Sequence, residues 1–198
     1  MDSPFDQPEA DSTEETETSA SSVSAVEPIM IPGIAADGSF YKIEKMAAHE
    51  KPTLHLAISV FLFSEQGELL IQQRAHDKYH CGGMWANTCC THPHWGEEPK
   101  ASAHRRMAEE IGVTADITEQ RVIEYAADVG NGLWEHERVH MFRGVVNKDT
   151  LSFGLNPEEV AAVRWIAPMD LRAEIKEKPA DFTPWFRIYA ERFPELDF

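Results

Sequence analysis

An α+β domain, with a mixed β-sheet sandwiched between α-helices, is the fold this sequence predicts. Three observations carry that expectation. Runs of strand length, rich in apolar, β-branched and aromatic residues, dominate the chain from residue 40 to residue 145. One stretch of helical periodicity interrupts them between Pro99 and Gly112, and further helical stretches follow Pro168. Strands that come first, with helices between and after them, argue for a sheet covered by helices rather than a bundle or a barrel.

The elements follow in chain order. Residues 40–43 form a first short strand, and "EKMAAHEKPT" with Pro52 reads as a loop or short turn. Residues 54–63, "LHLAISVFLF", have the composition of a buried strand, and "SEQGE" turns it into a second strand at 69–75. A polar loop with Gly82 and Gly83 leads to another short strand at 85–90. Pro99 suits a first helical turn, while Ala103, Met107 and Ile111 share one apolar face, with Ala108 beside them. Gly112 stands where that helix would stop. Strands at 121–128 and 133–145 meet at "VGNG", a strong hairpin signal, and "VAAVRWI" forms one more. Pro168 opens a helix, and a last one covers much of 181–193.

Length and charge set the outer limits. A chain of 198 residues suits one domain, here residues 28–198. The formal charge is −16, but residues 1–27 hold eight acidic residues, no Lys or Arg, and many Ser, Thr, Ala and Pro. Such a segment buries too little apolar surface to offset its ordering entropy, so a disordered acidic tail is expected. A chain beginning at Pro28 should therefore keep its melting temperature and turnover, and a fall of several degrees would show that the tail packs on the domain. No basic stripe points to nucleic acid, and no apolar run approaches the roughly 18 residues of a membrane span. Cys81, Cys89 and Cys90 are an odd count with two adjacent, which does not make a disulfide framework. A reduced chain fits better, with the cytoplasm as its default compartment and either a monomer or a homodimer as its state.

The densest chemical segment is "WANTCCTHPHWGE". Residues two apart on a strand share a face, so Cys90 and His92 point one way and Cys89 the other. By the same rule Glu135 and Glu137 of "WEHERVH" share a face. His49 and His55 flank the entrance to the first long strand. Three imidazoles and two carboxylates suit a borderline divalent cation in six-coordinate geometry. The helix carries a further pattern, "GEEPKASAHRRMAEEIGV", with Glu97, Arg105, Glu109, Glu110 and Gly112 in the places of a Nudix box. Arg106 stands where that box has a glutamate, and Thr91 replaces its leading glycine. Exchanging a carboxylate for a cation weakens a metal cluster that must activate water.

With "EKMAAH", "QRA", "EHE" and "FTPW" in order around these segments, the chain resembles the isopentenyl-diphosphate Δ-isomerases of type 1, which carry a Nudix-like fold. The resemblance runs from about residue 40 to residue 185. It implies that His49, His55, His92, Glu135 and Glu137 ligate one divalent metal (Mn²⁺, Zn²⁺ or Mg²⁺), and that Glu110 holds a Mg²⁺ that also grips the diphosphate. It further implies Cys90 as the catalytic cysteine beside Glu137 and Tyr125, with Cys89 structural and Cys81 unassigned. Lys45, Arg74, Lys78 and Arg106 fall where the family places cations for the diphosphate, and Trp185 near the reacting carbons. The expected partner is a small isoprenoid diphosphate. Two other readings share some of these features. A Nudix hydrolase would share Glu110 and Mg²⁺, but Arg106 and the Cys90–His92 pair count against it. A structural zinc module would favour four ligands, often several thiolates.

Overall fold

The computed structural model describes residues 27–193, so most of the expected tail lies outside the described residues. Nine strands make one mixed sheet among them. β1 (Met30–Ile34) and β2 (Phe40–Glu44) form an antiparallel pair, and α1 (Lys45–Glu50) follows directly. β3 (His55–Ser64) is buried at every position and runs at the centre of the sheet. It turns into β4 (Leu69–Arg74), and a loop leads to β5 (Trp85–Ala86) and β6 (Cys89–Thr91). After α2 (Pro99–Ile111) come β7 (Thr118–Gly130), β8 (Leu133–Val146) and β9 (Val160–Ile166), then α3 (Pro168–Glu177) and α4 (Pro184–Arg192). β8 lies parallel to β3 over ten residue pairs, from His55 beside Glu137 to Ser64 beside Val146, while the other pairings are antiparallel.

Strict alternation along β3 divides the interior into two cores, one on each face of the sheet. Ile58, Val60 and Leu62 pack with Leu70, Cys89 and the Ala103–Met107–Ile111 face of α2. Ala57, Phe61 and Phe63 pack on the other side with Leu171 of α3 and Trp185, Phe186 and Tyr189 of α4. The sandwich expected from the order of elements is thus formed. The helix stop is also where the sequence places it: Gly112 is left-handed, with φ 69°, and a Cβ there would lie 2.6 Å from the backbone of Gly154. At the hairpin, Asn131 and Gly132 both take positive φ, the conformation that a tight two-residue turn needs.

Several local expectations are corrected. β1 precedes the first strand read from the sequence; its Pro32 and Gly33 obscure it, yet Gly33 is needed because the Tyr41 ring would lie 2.6 Å from a Cβ. "EKMAAHE" is a short helix rather than a loop, started by Glu44, whose carboxylate accepts from the amides of Met46 (2.9 Å) and Ala47 (2.8 Å). The single strand expected at 85–90 is two, β5 pairing with β4 and β6 with β3. The last helix, α4, covers much of 181–193 as expected, and a 3-10 turn at Pro179–Asp181 precedes it.

The break between β5 and β6 serves the sheet. β3 and β4 pair only at Phe63 and Leu69 and then diverge, and residues 87–88 bridge the gap. The Asn87 amide donates to the carbonyls of Val60 (3.1 Å) and Cys89 (2.9 Å). The Thr88 hydroxyl accepts from Leu62 N–H (2.9 Å) and donates to Leu70 O (2.6 Å), with the residue fully buried. Thr88→Val keeps the shape but leaves both backbone groups without a partner. It should cost about 2–4 kcal/mol and lower Tm by roughly 5–15 °C. A thermal melt with Tm unchanged would show that the backbone finds other partners.

Candidate active site

One cavity is lined by residues of β3, β6, β7 and β8, and its wall carries most of the site residues expected from the sequence. β6 presents Cys90 to it and sends Cys89 into the core beneath α2, as strand alternation requires. Trp185 faces it from α4, with its indole N–H on Asn87 Oδ1 at 3.2 Å and the Arg74 guanidinium 5.4 Å from the ring centre. Lys45, Lys78, Arg106 and Glu110 also line it.

The parallel pairing of β3 and β8 sets His55 beside Glu137. His92, just beyond β6, lies 2.8 Å from Glu137 Oε1 and 3.1 Å from His55 Nε2. α1 adds His49, 4.9 Å from the His55 ring and 5.0 Å from the His92 ring, centre to centre. One donor atom from each of His49, His55, His92 and Glu137 lies within 4.8 Å of the others. The Tyr125 hydroxyl is 2.7 Å from Glu137 and 2.8 Å from Glu135, one proton facing two acceptors.

These residues fit a divalent cation. The Nε2 of His49 is buried without a hydrogen-bond partner, a costly arrangement unless something else uses its lone pair. Burial holds the His49 and His92 imidazoles below their usual range and so neutral, the form that ligates metals. Burial alone would also keep Glu137 protonated, but His55 and His92 outweigh it and hold the carboxyl well below the usual range. Glu135 goes the other way, raised by its burial and by the neighbouring Glu137. Two carboxylates crowded in a buried site with neutral imidazoles form a donor set that a cation would relieve.

The end of the cavity that holds Lys78, Arg106 and Glu110 is built differently. Arg106 Nη2 pairs with Glu110 at 2.6 Å and with Glu159 at 3.1 Å, and Lys78 pairs with Glu159 at 2.7 Å. Glu110 also accepts from the Gln72 amide at 3.0 Å. A single carboxylate suits Mg²⁺ when waters or phosphate oxygens complete the shell. Two other box residues pair with each other: Arg105 clasps Glu97 through two bonds of 2.7 and 2.8 Å, which fastens the preceding loop to α2. Sequence reasoning missed Glu159, which follows an unremarkable "NPE", and His80, which looks like any loop histidine. It also missed Tyr189, whose hydroxyl meets Ser59 at 3.1 Å on the cavity wall. What they share is a place on the cavity wall, which a single sequence does not display.

The sandwich and the altered box on α2 define a Nudix-fold protein, with a donor cluster that could hold a metal ion, and the NUDIX domain model matches residues 53–186. Fold similarity agrees: a Deinococcus radiodurans protein, DR0079, superimposes with a TM-score of 0.59 at 17% identity, over 75% of this chain and 89% of that one. Sequence similarity is narrower and closer. An isopentenyl-diphosphate Delta-isomerase from Cereibacter sphaeroides (strain ATCC 17029 / ATH 2.4.9) is 49% identical over 164 residues, 82% of this chain and 91% of the relative. One from Dinoroseobacter shibae is 47% identical over 163 residues, 82% of this chain and 92% of the relative. The chain belongs to the isopentenyl-diphosphate Delta-isomerase family.

Proposed function

We propose that the chain interconverts isopentenyl and dimethylallyl diphosphates by protonation and deprotonation through a tertiary carbocation. The observation that carries the reading is the meeting of Cys90, the Glu135–Tyr125–Glu137 group and Trp185 on the wall of one cavity that also carries Lys45, Arg74, Lys78 and Arg106. Moving the double bond adds a proton at C4 and removes one from C2, so two proton-active groups must flank a small hydrocarbon. Burial raises the Cys90 thiol and keeps its proton on, whereas Glu137 is held charged. One group gives and the other takes, and the reverse reaction exchanges the roles. Tyr125, bonded to both carboxylates, relays or holds the proton on the Glu137 side.

Protonation leaves positive charge at C3. The indole face of Trp185 is the best side-chain neighbour for it, worth ~2 kcal/mol when desolvated. Lys45, Arg74, Lys78 and Arg106 hold the diphosphate, so that binding energy far from C3 orients the alkene. His49, His55, His92, Glu135 and Glu137 would hold a divalent cation, with Mn²⁺, Zn²⁺ and Mg²⁺ all compatible with nitrogen and carboxylate donors. When bound, that cation supplies positive charge that orients Glu137 and tunes its acidity. Glu110, together with diphosphate oxygens, would hold Mg²⁺, which neutralises substrate charge. The three cysteines are free, in keeping with a reduced compartment such as the cytoplasm. No helix among the described residues is long and apolar enough to cross a membrane.

The test is direct. Metal-loaded protein incubated with isopentenyl diphosphate and Mg²⁺ should yield acid-labile allylic diphosphate. Phosphate release from nucleotide diphosphates with no allylic product would favour the hydrolase instead.

A further inference from the structure

We propose that His80 is a sixth protein ligand of the cation held by the His/Glu centre; the inference rests on the metal-dependent reading above. His80 sits in the loop between β4 and β5 and is only 4% exposed. Its Nδ1 is buried and has no hydrogen-bond partner. Its ring is stacked with His49 at 6.1 Å and stands edge-on to Trp185 at 5.9 Å. Donor atoms of His80, His49 and Glu135 lie within 4.8 Å of one another. Donors on opposite sides of one ion are about 4–5 Å apart, given metal–ligand bonds of roughly 2.0–2.4 Å.

The two donor groups describe one ion and not two. His49 belongs to both, and its Nδ1 is already bound to the Lys45 carbonyl at 2.7 Å. Only Nε2 remains, and one imidazole nitrogen serves one cation. The loop is shaped to turn His80 inward. Cys81 takes a left-handed φ of 52°, Gly83 has φ 76°, and a Cβ on Gly82 would lie 2.3 Å from His76 O. Arg74 Nη2 donates to the His80 carbonyl at 3.4 Å. A packing role against Trp185 would be filled as well by phenylalanine, with no buried nitrogen left unpaired. With His49, His55, His92, Glu135 and Glu137, His80 gives the ion six protein donors. Six protein donors would leave no coordination position for water or alkene, so that Glu135 and Glu137, and not the ion, would meet the substrate.

The experiment uses the full chain with isotope-labelled histidine and spin-active cadmium alone, without substrate. Scalar coupling between cadmium and a ring nitrogen is expected for His80 as well as for His49, His55 and His92. Coupling to those three with none to His80 overturns the proposal, and coupling to no histidine overturns it together with the metal centre. Chelator competition for Mn²⁺ supplies a second readout. His80→Ala and His80→Phe should each weaken metal retention at least tenfold, with metal-free melting temperatures confirming that both fold. Wild-type retention by the His80→Phe protein would mean that the ring only packs. A chain that fails to form allylic product but retains the cadmium couplings would sink the isomerase reading and leave the ligand assignment standing.

Discussion

Cys90→Ala is expected to lower isomerisation by roughly 10²–10⁴-fold, the usual contribution of a positioned proton donor or acceptor. Cys89→Ala should keep most of it. The contrast comes from one strand: Cys90 lines the cavity, while Cys89 is fully buried among Ile58, Val60 and the apolar face of α2. Loss of the Cys89 sulfur should appear in stability instead, as about 1 kcal/mol and a Tm fall of roughly 2–4 °C. Turnover of isopentenyl diphosphate by both variants, with thermal melts, checks this. Equal loss of turnover in two well-folded variants would contradict the assignment of Cys90.

Arg106→Glu should be nearly as damaging, and it separates the isomerase from the hydrolase by the sign of the effect. Arg106 reaches Glu110, Glu109 and Glu159 at 2.6, 2.9 and 3.1 Å, with its side chain 19% exposed. Under the isomerase reading its guanidinium turns to diphosphate oxygens through charge-assisted bonds worth roughly 1.5–3 kcal/mol each. Losing two of them lowers efficiency by roughly 10²–10⁴-fold, before the repulsion among four carboxylates and the substrate is added. Arg106→Gln removes the cation without adding an anion and should lose less. Under the hydrolase reading, Arg106→Glu restores the missing box carboxylate and should raise cleavage of nucleotide diphosphates. The measurement is turnover of both substrates by all three proteins. Unchanged isomerisation in the Arg106→Glu protein would remove Arg106 from the diphosphate site.

Much of this protein is legible in its amino-acid sequence. The alternation of "TCCTH" separates Cys90 from Cys89, because a strand has period two and its two faces meet different cores. The apolar positions 103, 107 and 111 place α2 on the sheet, and "VGNG" sets the β7–β8 turn, since local sterics decide both. The ordered motifs around the altered box point to the family, as close spacing preserved over some 145 residues does not arise from composition. Local rules misjudge those segments whose conformation depends on distant partners. β1 carries Pro32 and Gly33 yet pairs with β2, with the Tyr41 ring over the glycine. Residues 85–91 break into two strands because β3 and β4 diverge around Asn87 and Thr88. The parallel register of β3 on β8, which sets His55 beside Glu137, links residues 82 positions apart, and no periodicity in either strand specifies it. Burial then decides the chemistry. His80 and Glu159 are ordinary polar residues in the sequence, and only the packed cavity leaves one with an unpaired nitrogen and gives the other two cations, Lys78 and Arg106.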